Sequence, residues 1–177
     1  MYGMIHKAAR DMAVERYGEQ GWRHVLVASG LSDEHFISAR QYPDEITERL
    51  LAAIGARAGL DREALLEAFG RHWIKYAGSS AYSSILDRTG GDLVTFLGNL
   101  DRMHASIKTV VDRAQLPFFN VEKADETEIE IAYRSSREGL EPFVIGLLKG
   151  LLERFGETGE IAWRREGGAS LFRIARA

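Results

Sequence analysis

Residues 117–135, PFFNVEKADETEIEIAYRS, decide the fold, because the hydrophobic period changes there from helical to alternating. Phe118 to Val121 reads as one strand. Glu128 to Ser135 reads as another, since Ile129, Ile131 and Tyr133 alternate with Glu130, Ala132 and Arg134, and Lys123, Ala124 and Asp125 make the turn between them. Upstream, Asp92 suits the N-cap of a helix whose apolar residues Leu93, Phe96, Leu97, Leu100, Met103, Ile107, Val110, Val111 and Ala114 keep helical spacing until Gln115, Leu116 and Pro117 stop it. Downstream, Leu140 to Phe155 is helical and apolar on nearly every side, so burial is expected. Ile161 to Arg165 and Leu171 to Ala175 then flank Glu166, Gly167 and Gly168 as a hairpin.

The N-terminal half is helical throughout. Ile5, Ala8, Met12, Val14, Tyr17 and Trp22 recur at three- and four-residue steps, with Gly18 and Gly21 as a break between two short helices. Pro43 and Asp44 open a helix with Ile46, Leu50, Leu51 and Ile54 on one face. Asp61 caps Leu65 to Phe69, and Trp73 to Tyr76 and Ile85 to Leu86 read as further short helices. The fold class is therefore α+β: a helical N-terminal subdomain packed on a C-terminal antiparallel sheet with an inserted helix.

The 177 residues fit one domain, and an apolar fraction of 45% against 28% charged residues is that of a globular chain. A formal charge of -3 without a basic block argues against nucleic acid as a partner. Zero Cys removes disulfides, thiolate zinc sites, iron–sulfur clusters and cysteine nucleophiles together. The longest apolar run, Phe143 to Leu152, is about half the ~20 residues that span a bilayer. The start lacks a signal-peptide pattern, so the cytoplasm is the expected compartment.

Two constellations carry chemistry. The histidines at 6, 24, 35, 72 and 104 show no HExxH or i, i+4 pairing, which argues against a multi-histidine metal cage. His104 alone lies on the apolar stripe of a long helix. It reads either as a core histidine satisfied by a backbone carbonyl or as a lone axial ligand, which suits heme iron because the porphyrin supplies the other four nitrogens. The second constellation is the strand end Tyr133, Ser135 and Arg137, which a two-residue period puts on one face. Two hydroxyls and a guanidinium fork suit a carboxylate or phosphate, although a solvated strand end has the same composition. Gly90, Gly91, Gly167 and Gly168 lack the context of a phosphate loop. Glu126, Glu128 and Glu130 read as a solvated strand face, and no GxSxG elbow is present.

Met1-Tyr2-Gly3, His104 followed by Pro117, and Tyr133-x-Ser135-x-Arg137-Glu138-Gly139-Leu140 running into Val144-Ile145-Gly146 together resemble the heme-nitric oxide/oxygen binding (H-NOX) family, over essentially the whole chain. The resemblance implies a single heme domain over 1–177, with a distal helical part at 1–60, a proximal helix and sheet part at 61–177, and one b-type heme buried between them. It makes His104 the proximal iron ligand, gives Tyr133, Ser135 and Arg137 the heme propionates, and sets Pro117 against the macrocycle. Ile5, Trp73, Phe143 and Leu147 match positions lining the distal side. The tyrosine of oxygen-holding members falls at Phe143 or Pro142, so the pocket is apolar apart from the Trp73 indole. A nitric oxide sensor, with carbon monoxide as a second gas, is therefore expected rather than an oxygen carrier or an enzyme. Release of His104 would free the helix from Leu100 to Val111, and Asp101 and Arg40 match positions that transmit such motion. A separate histidine kinase or cyclic-di-GMP enzyme is the expected partner. The alternative is a heme-free small-ligand module of related fold, in which His104 is a core residue.

Overall fold

The change of period at Pro117 marks the passage from helices to sheet. The computed structural model describes residues 1–32, 36–109 and 115–177. The helices are α1 (Gly3–Ala28), α2 (Asp44–Ala58), α3 (Arg62–Ser79), α4 (Ser83–Thr89), α5 (Leu93–Gly98), α6 (Leu100–Lys108) and α7 (Glu141–Phe155); the strands are β1 (Phe118–Ala124), β2 (Glu128–Arg134), β3 (Gly159–Glu166) and β4 (Ala169–Arg176). The strands form one antiparallel sheet in the order β1-β2-β4-β3.

Local chemistry explains most element ends. The Asp61 carboxylate accepts from the Ala64 N–H and the Asp92 carboxylate from the Thr95 N–H, each at 2.8 Å, satisfying donors that a first helical turn leaves open. Asp125 turns β1 into β2 by accepting from the backbone of Thr127 and Glu128. Gly167 and Gly168, with φ of 55° and 78°, form the two-residue hairpin between β3 and β4 that only glycine adopts without strain.

Four expectations change. Gly18 alone breaks α1, at φ 67°; Gly21 is helical and packs under Tyr17, and the helix continues to Ala28. Leu65 to Phe69 and Trp73 to Tyr76 belong to one helix, α3, because no residue between them interrupts the apolar stripe. The long helix expected from Leu93 is two, α5 and α6, divided at Asn99: its amide donates to the Thr89 carbonyl at 2.7 Å and its carbonyl accepts from Arg102, which anchors the break to α4. Its continuation at Val110, Val111 and Ala114 lies outside the described residues. β2 ends at Arg134, so Ser135 and Arg137 follow a turn instead of a strand period.

Two cores result. One packs Phe96, Leu97, Phe119, Ile131, Tyr133 and Phe172 between sheet and helices. The other packs α1 against α2 through Ala9, Met12, Trp22, Leu50 and Ile54, and draws Leu65 and Phe69 from beyond residue 60. α3 and α7 join them by crossing backbone on backbone. A methyl group on Gly70 would run into the Phe143 carbonyl, and one on Gly146 into the Glu67 carbonyl, while Gly150 sits on Ile74. Sheet residues facing outward form ion pairs, Glu128 with Lys123 and Arg173 and Glu130 with Arg164, as expected for a solvated face and worth little individually.

Gly146→Ala is expected to destabilise the fold by about 1–3 kcal/mol by overpacking the crossing. Gly91→Ala, where an added methyl meets nothing within 4 Å, should stay within about 0.5 kcal/mol. Denaturant unfolding of the two variants side by side checks this.

Candidate functional site

His104 sits half-buried in the middle of α6, and its Nδ1 lies 3.1 Å from the Pro117 carbonyl oxygen. A carbonyl only accepts, so Nδ1 carries the proton and donates, and Nε2 keeps its lone pair. Burial is the main reason the His104 pKa falls below its ordinary value, aided by Lys108 and opposed by the Pro117 bond and the Asp101 charge. The ring is thus neutral at pH 7 with one free nitrogen. Asp101, one turn earlier, accepts from the Phe119 N–H at 2.9 Å and ties α6 to β1. Among the described residues it makes no ion pair with Arg40, whose guanidinium instead lies over the Tyr42 ring.

Aromatic contacts lead from His104 to the second constellation. Its ring centroid is 6.0 Å from that of Phe119, which lies 5.1 Å from Tyr133, and Tyr133 meets Phe172 edge-on at 6.0 Å. Phe119 and Tyr133 face each other directly across β1 and β2. Burial raises the Tyr133 phenol pKa, a hydrogen bond with Ser135 lowers it, and the charge of Glu141 adds to the rise. Beyond the strand, the Ser135 hydroxyl accepts from the Arg137 N–H at 3.0 Å, so a turn brings Arg137 back toward Ser135. The strand period expected to align the three residues is absent here; Ser135 and Arg137 are instead joined through this turn.

Arg137 reaches across the molecule. Its Nε donates to Asp44 at 3.0 Å and its Nη1 to the Gln115 carbonyl at 3.1 Å. Asp44 opens α2 and also holds the Met1 ammonium, which donates in addition to the Tyr42 carbonyl. Burial would raise the Asp44 pKa, but hydrogen bonds from the amine and Arg137 outweigh it and leave the carboxyl below its usual range. The sequence marked Asp44 only as a helix start, and nothing local signals a partner 93 residues away. Phe119 was legible in principle, since pairing the two strands through the Asp125 turn sets it opposite Tyr133.

The residues expected on the other side of the site divide between the cores. Ile5 and Phe143 pack on the N-terminal core, Phe143 with its ring 5.6 Å from Phe69; Leu147 packs on the sheet core, and Trp73 touches both. The remaining histidines do not assemble. His24 is exposed, and His35 lies outside the described residues. His72 is bracketed by Asp11 at 3.0 Å and Glu15 at 3.6 Å, with Lys75 also on Glu15, which makes an α1–α3 ion-pair cluster. A surface groove of about 480 Å³ between α1 and α2, with His24, Arg49 and Arg57 on its walls, shares no residue with the site.

These residues fit an iron porphyrin. His104 offers a single neutral imidazole nitrogen among aromatic side chains, and Tyr133, Ser135 and Arg137 offer hydroxyls and a cation suited to carboxylates. A family model described as "Haem-NO-binding" matches residues 2–162.

The chain belongs to the haem-NO-binding family. It is a heme-binding gas-sensor domain of the type found in soluble guanylate cyclases, its cofactor is b-type heme, and the domain is not itself catalytic. That membership sets aside the heme-free module. It is 30% identical over 162 residues to soluble guanylate cyclase gcy-35 of Caenorhabditis elegans, covering 89% of this chain and 23% of that protein. Soluble guanylate cyclase 89Db of Drosophila melanogaster is 24% identical over 155 residues, with 88% of this chain and 23% of that protein covered. This haem-NO-binding domain therefore spans less than a quarter of the length of those relatives. Its fold matches an H-NOX protein from S. oneidensis in the Fe(II)NO ligation state, with a TM-score of 0.88, 20% identity, and 100% and 99% of the two chains covered. An oxygen-binding H-NOX domain related to soluble guanylate cyclases matches with a TM-score of 0.81, 22% identity, and 99% and 95% covered. No helix among the described residues of the domain is long and apolar enough to cross a membrane.

His6, next to Ile5, is fully buried, with Nε2 2.7 Å from the Thr47 hydroxyl, Nδ1 without a partner among the described residues, and its ring against Phe36 and Tyr42. Burial, helped by the N-terminal charge and opposed by Asp44, lowers its pKa from 6.5 to about 4. Between those values the unfolded chain takes up a proton that the folded domain refuses. This contribution to stability is therefore complete above pH 6.5 and lost as the pH falls toward 4, at most about 3 kcal/mol. Denaturation midpoints at pH 7 and pH 4.5 should converge in His6→Gln relative to the parent; an unchanged pH slope would show that another group is responsible.

Proposed function

We propose that the chain is a nitric oxide sensor that relays its state to a separate signalling protein. His104 Nε2 is the sole protein ligand to the heme iron. Tyr133, Ser135 and Arg137 take the propionates, and Pro117 packs against the macrocycle. Ile5, Trp73, Phe143 and Leu147 line the gas side. Residues 1–60 form the distal part and 61–177 the proximal part of one heme domain. The observation that carries this reading is the His104–Pro117 hydrogen bond, which fixes the tautomer and keeps Nε2 unprotonated.

Heme supplies a ferrous site for a diatomic gas; selectivity and relay come from the chain. Dioxygen gains from a hydrogen-bond donor and nitric oxide does not need one, and Phe143 and Leu147 have none to give. Carbon monoxide, equally indifferent to a donor, is the second gas. Trp73 has the one N–H in the lining. Relay would follow from the break at Asn99: α6 is nine residues long and is tied to β1 by Asp101 and to Pro117 by His104, so a displacement of His104 would carry α6 and β1 while α5 stayed in the core. A histidine kinase or a cyclic-di-GMP enzyme is the receiver.

His104→Gly should lose heme on purification and regain it with added imidazole, followed by the Soret absorbance. Full heme occupancy without imidazole would refute the ligand assignment.

The ferrous protein should form a stable, largely five-coordinate nitric oxide complex and no lasting oxygen complex. Phe143→Tyr, by adding a phenol donor, should slow oxygen loss. A persistent oxygen complex of the parent protein in air would overturn the selectivity.

A further inference from the structure

The carboxylate of Glu141 is buried, with the residue 5% exposed, and the gas-sensing reading gives it no task. It opens α7 and accepts hydrogen bonds from the Ser170 hydroxyl at 3.0 Å and from the Arg165 guanidinium. Ser170 is the direct cross-strand partner of Tyr133. One carboxylate thus fastens the start of α7 to the sheet position beside Tyr133.

The chain between these two points, residues 134–140, is therefore a loop closed at neighbouring places on the sheet, and it carries Ser135 and Arg137. Within it the Ser135 hydroxyl accepts from the Arg137 N–H. Gly139 sits at φ 70°, and its carbonyl accepts from Arg62 at 3.1 Å. We propose that Glu141 is the positioning residue of the Tyr133, Ser135 and Arg137 anchor, clamping this loop so that both side chains are presented in one arrangement. The proposal rests on the reading of those three residues as the carboxylate anchor for heme.

The clamp suits its place. Burial opposes ionisation of Glu141, but its own helix-terminal N–H, Arg165 and Ser170 outweigh that cost and hold its pKa below the usual range. An uncharged side chain would leave Arg165 on β3 without its counter-charge, and a shorter one would not reach Arg165 and Ser170 on β4 together. Without the clamp the loop regains freedom, and each anchoring contact must order it again on binding.

The test compares heme dissociation rates of the loaded protein in the parent, Glu141→Gln, Arg137→Ala and the double variant. Glu141→Gln should speed heme loss about tenfold, a coupling of the size found between linked side chains. Adding it to Arg137→Ala should bring less than about a twofold further change, because the group being positioned is gone. Independent, multiplying effects would overturn the proposal and leave Glu141 as a general stabiliser of the fold. Unchanged heme loss in Arg137→Ala alone would overturn the anchor reading itself, a separable failure that also removes the basis of the proposal. Ser170→Ala, which keeps the charge and removes one tie, should accelerate heme loss in the same direction by less, and no acceleration would count against the clamp. The coupling between Glu141→Gln and Arg137→Ala is the signature that a purely structural role would not produce.

Discussion

The crossing of α3 over α7 is the contact on which the rest of the architecture depends. Gly70, Gly146 and Gly150 let the two backbones meet with no side chain between them. That distance fixes the spacing of the two cores. α3 contributes Leu65 and Phe69 to the N-terminal core and Ile74 and Ala77 to the sheet core, while α7 lies on the sheet and sends Phe143 back to the N-terminal side. Trp73 therefore packs on both cores, Phe143 on the N-terminal one and Leu147 on the sheet one. A larger residue at any of the three glycines would part the helices and change the depth of the site before touching any functional group.

Two electrostatic arrangements then divide the labour. At His104 the Pro117 carbonyl takes the Nδ1 proton and burial outweighs the Asp101 charge, so the ring is neutral and directional. Around Arg137 the surroundings are polar and connected: Asp44, the Met1 ammonium and the Gln115 carbonyl make a network that joins the end of β2 to the start of α2. A neutral imidazole on one side and a fixed cation on the other suit the proposed roles toward a metal centre and a pair of carboxylates. The Asp44–Arg137 pair also links the start of α2 to the turn after β2, so whatever competes for Arg137 acts on the contact between them.

The break at Asn99 gives the helix that carries His104 a mechanical identity of its own. Thr89 and Arg102 hold the Asn99 side chain, which anchors the base of α6, while Asp101 and His104 attach its face to β1 and Pro117. A short helix held at one end and coupled to an edge strand along its face passes a displacement to the strand more readily than one helix buried along its whole length.

What the sequence determined is what local period and local chemistry control. The passage from helix to strand at Pro117, the Asp61 and Asp92 caps, the Gly167–Gly168 hairpin and the α+β class all follow from residues within a few positions of each other. So did the selection of His104 and of Tyr133, Ser135 and Arg137, because an imidazole on an apolar stripe and a hydroxyl–guanidinium strand end are visible locally, and the heme reading came with the family resemblance they carry. Tertiary structure decided the rest. The division of α5 from α6 depends on a hydrogen bond from Asn99 to Thr89, ten residues back, against a hydrophobic period that runs through the break without a fault. The presentation of Arg137 depends on Asp44, and the burial of Glu141 on Ser170 and Arg165, all supplied by other elements. A side chain's type and period are written in its neighbourhood of the sequence, whereas its hydrogen-bond partner and desolvation are set by whatever the fold brings alongside it.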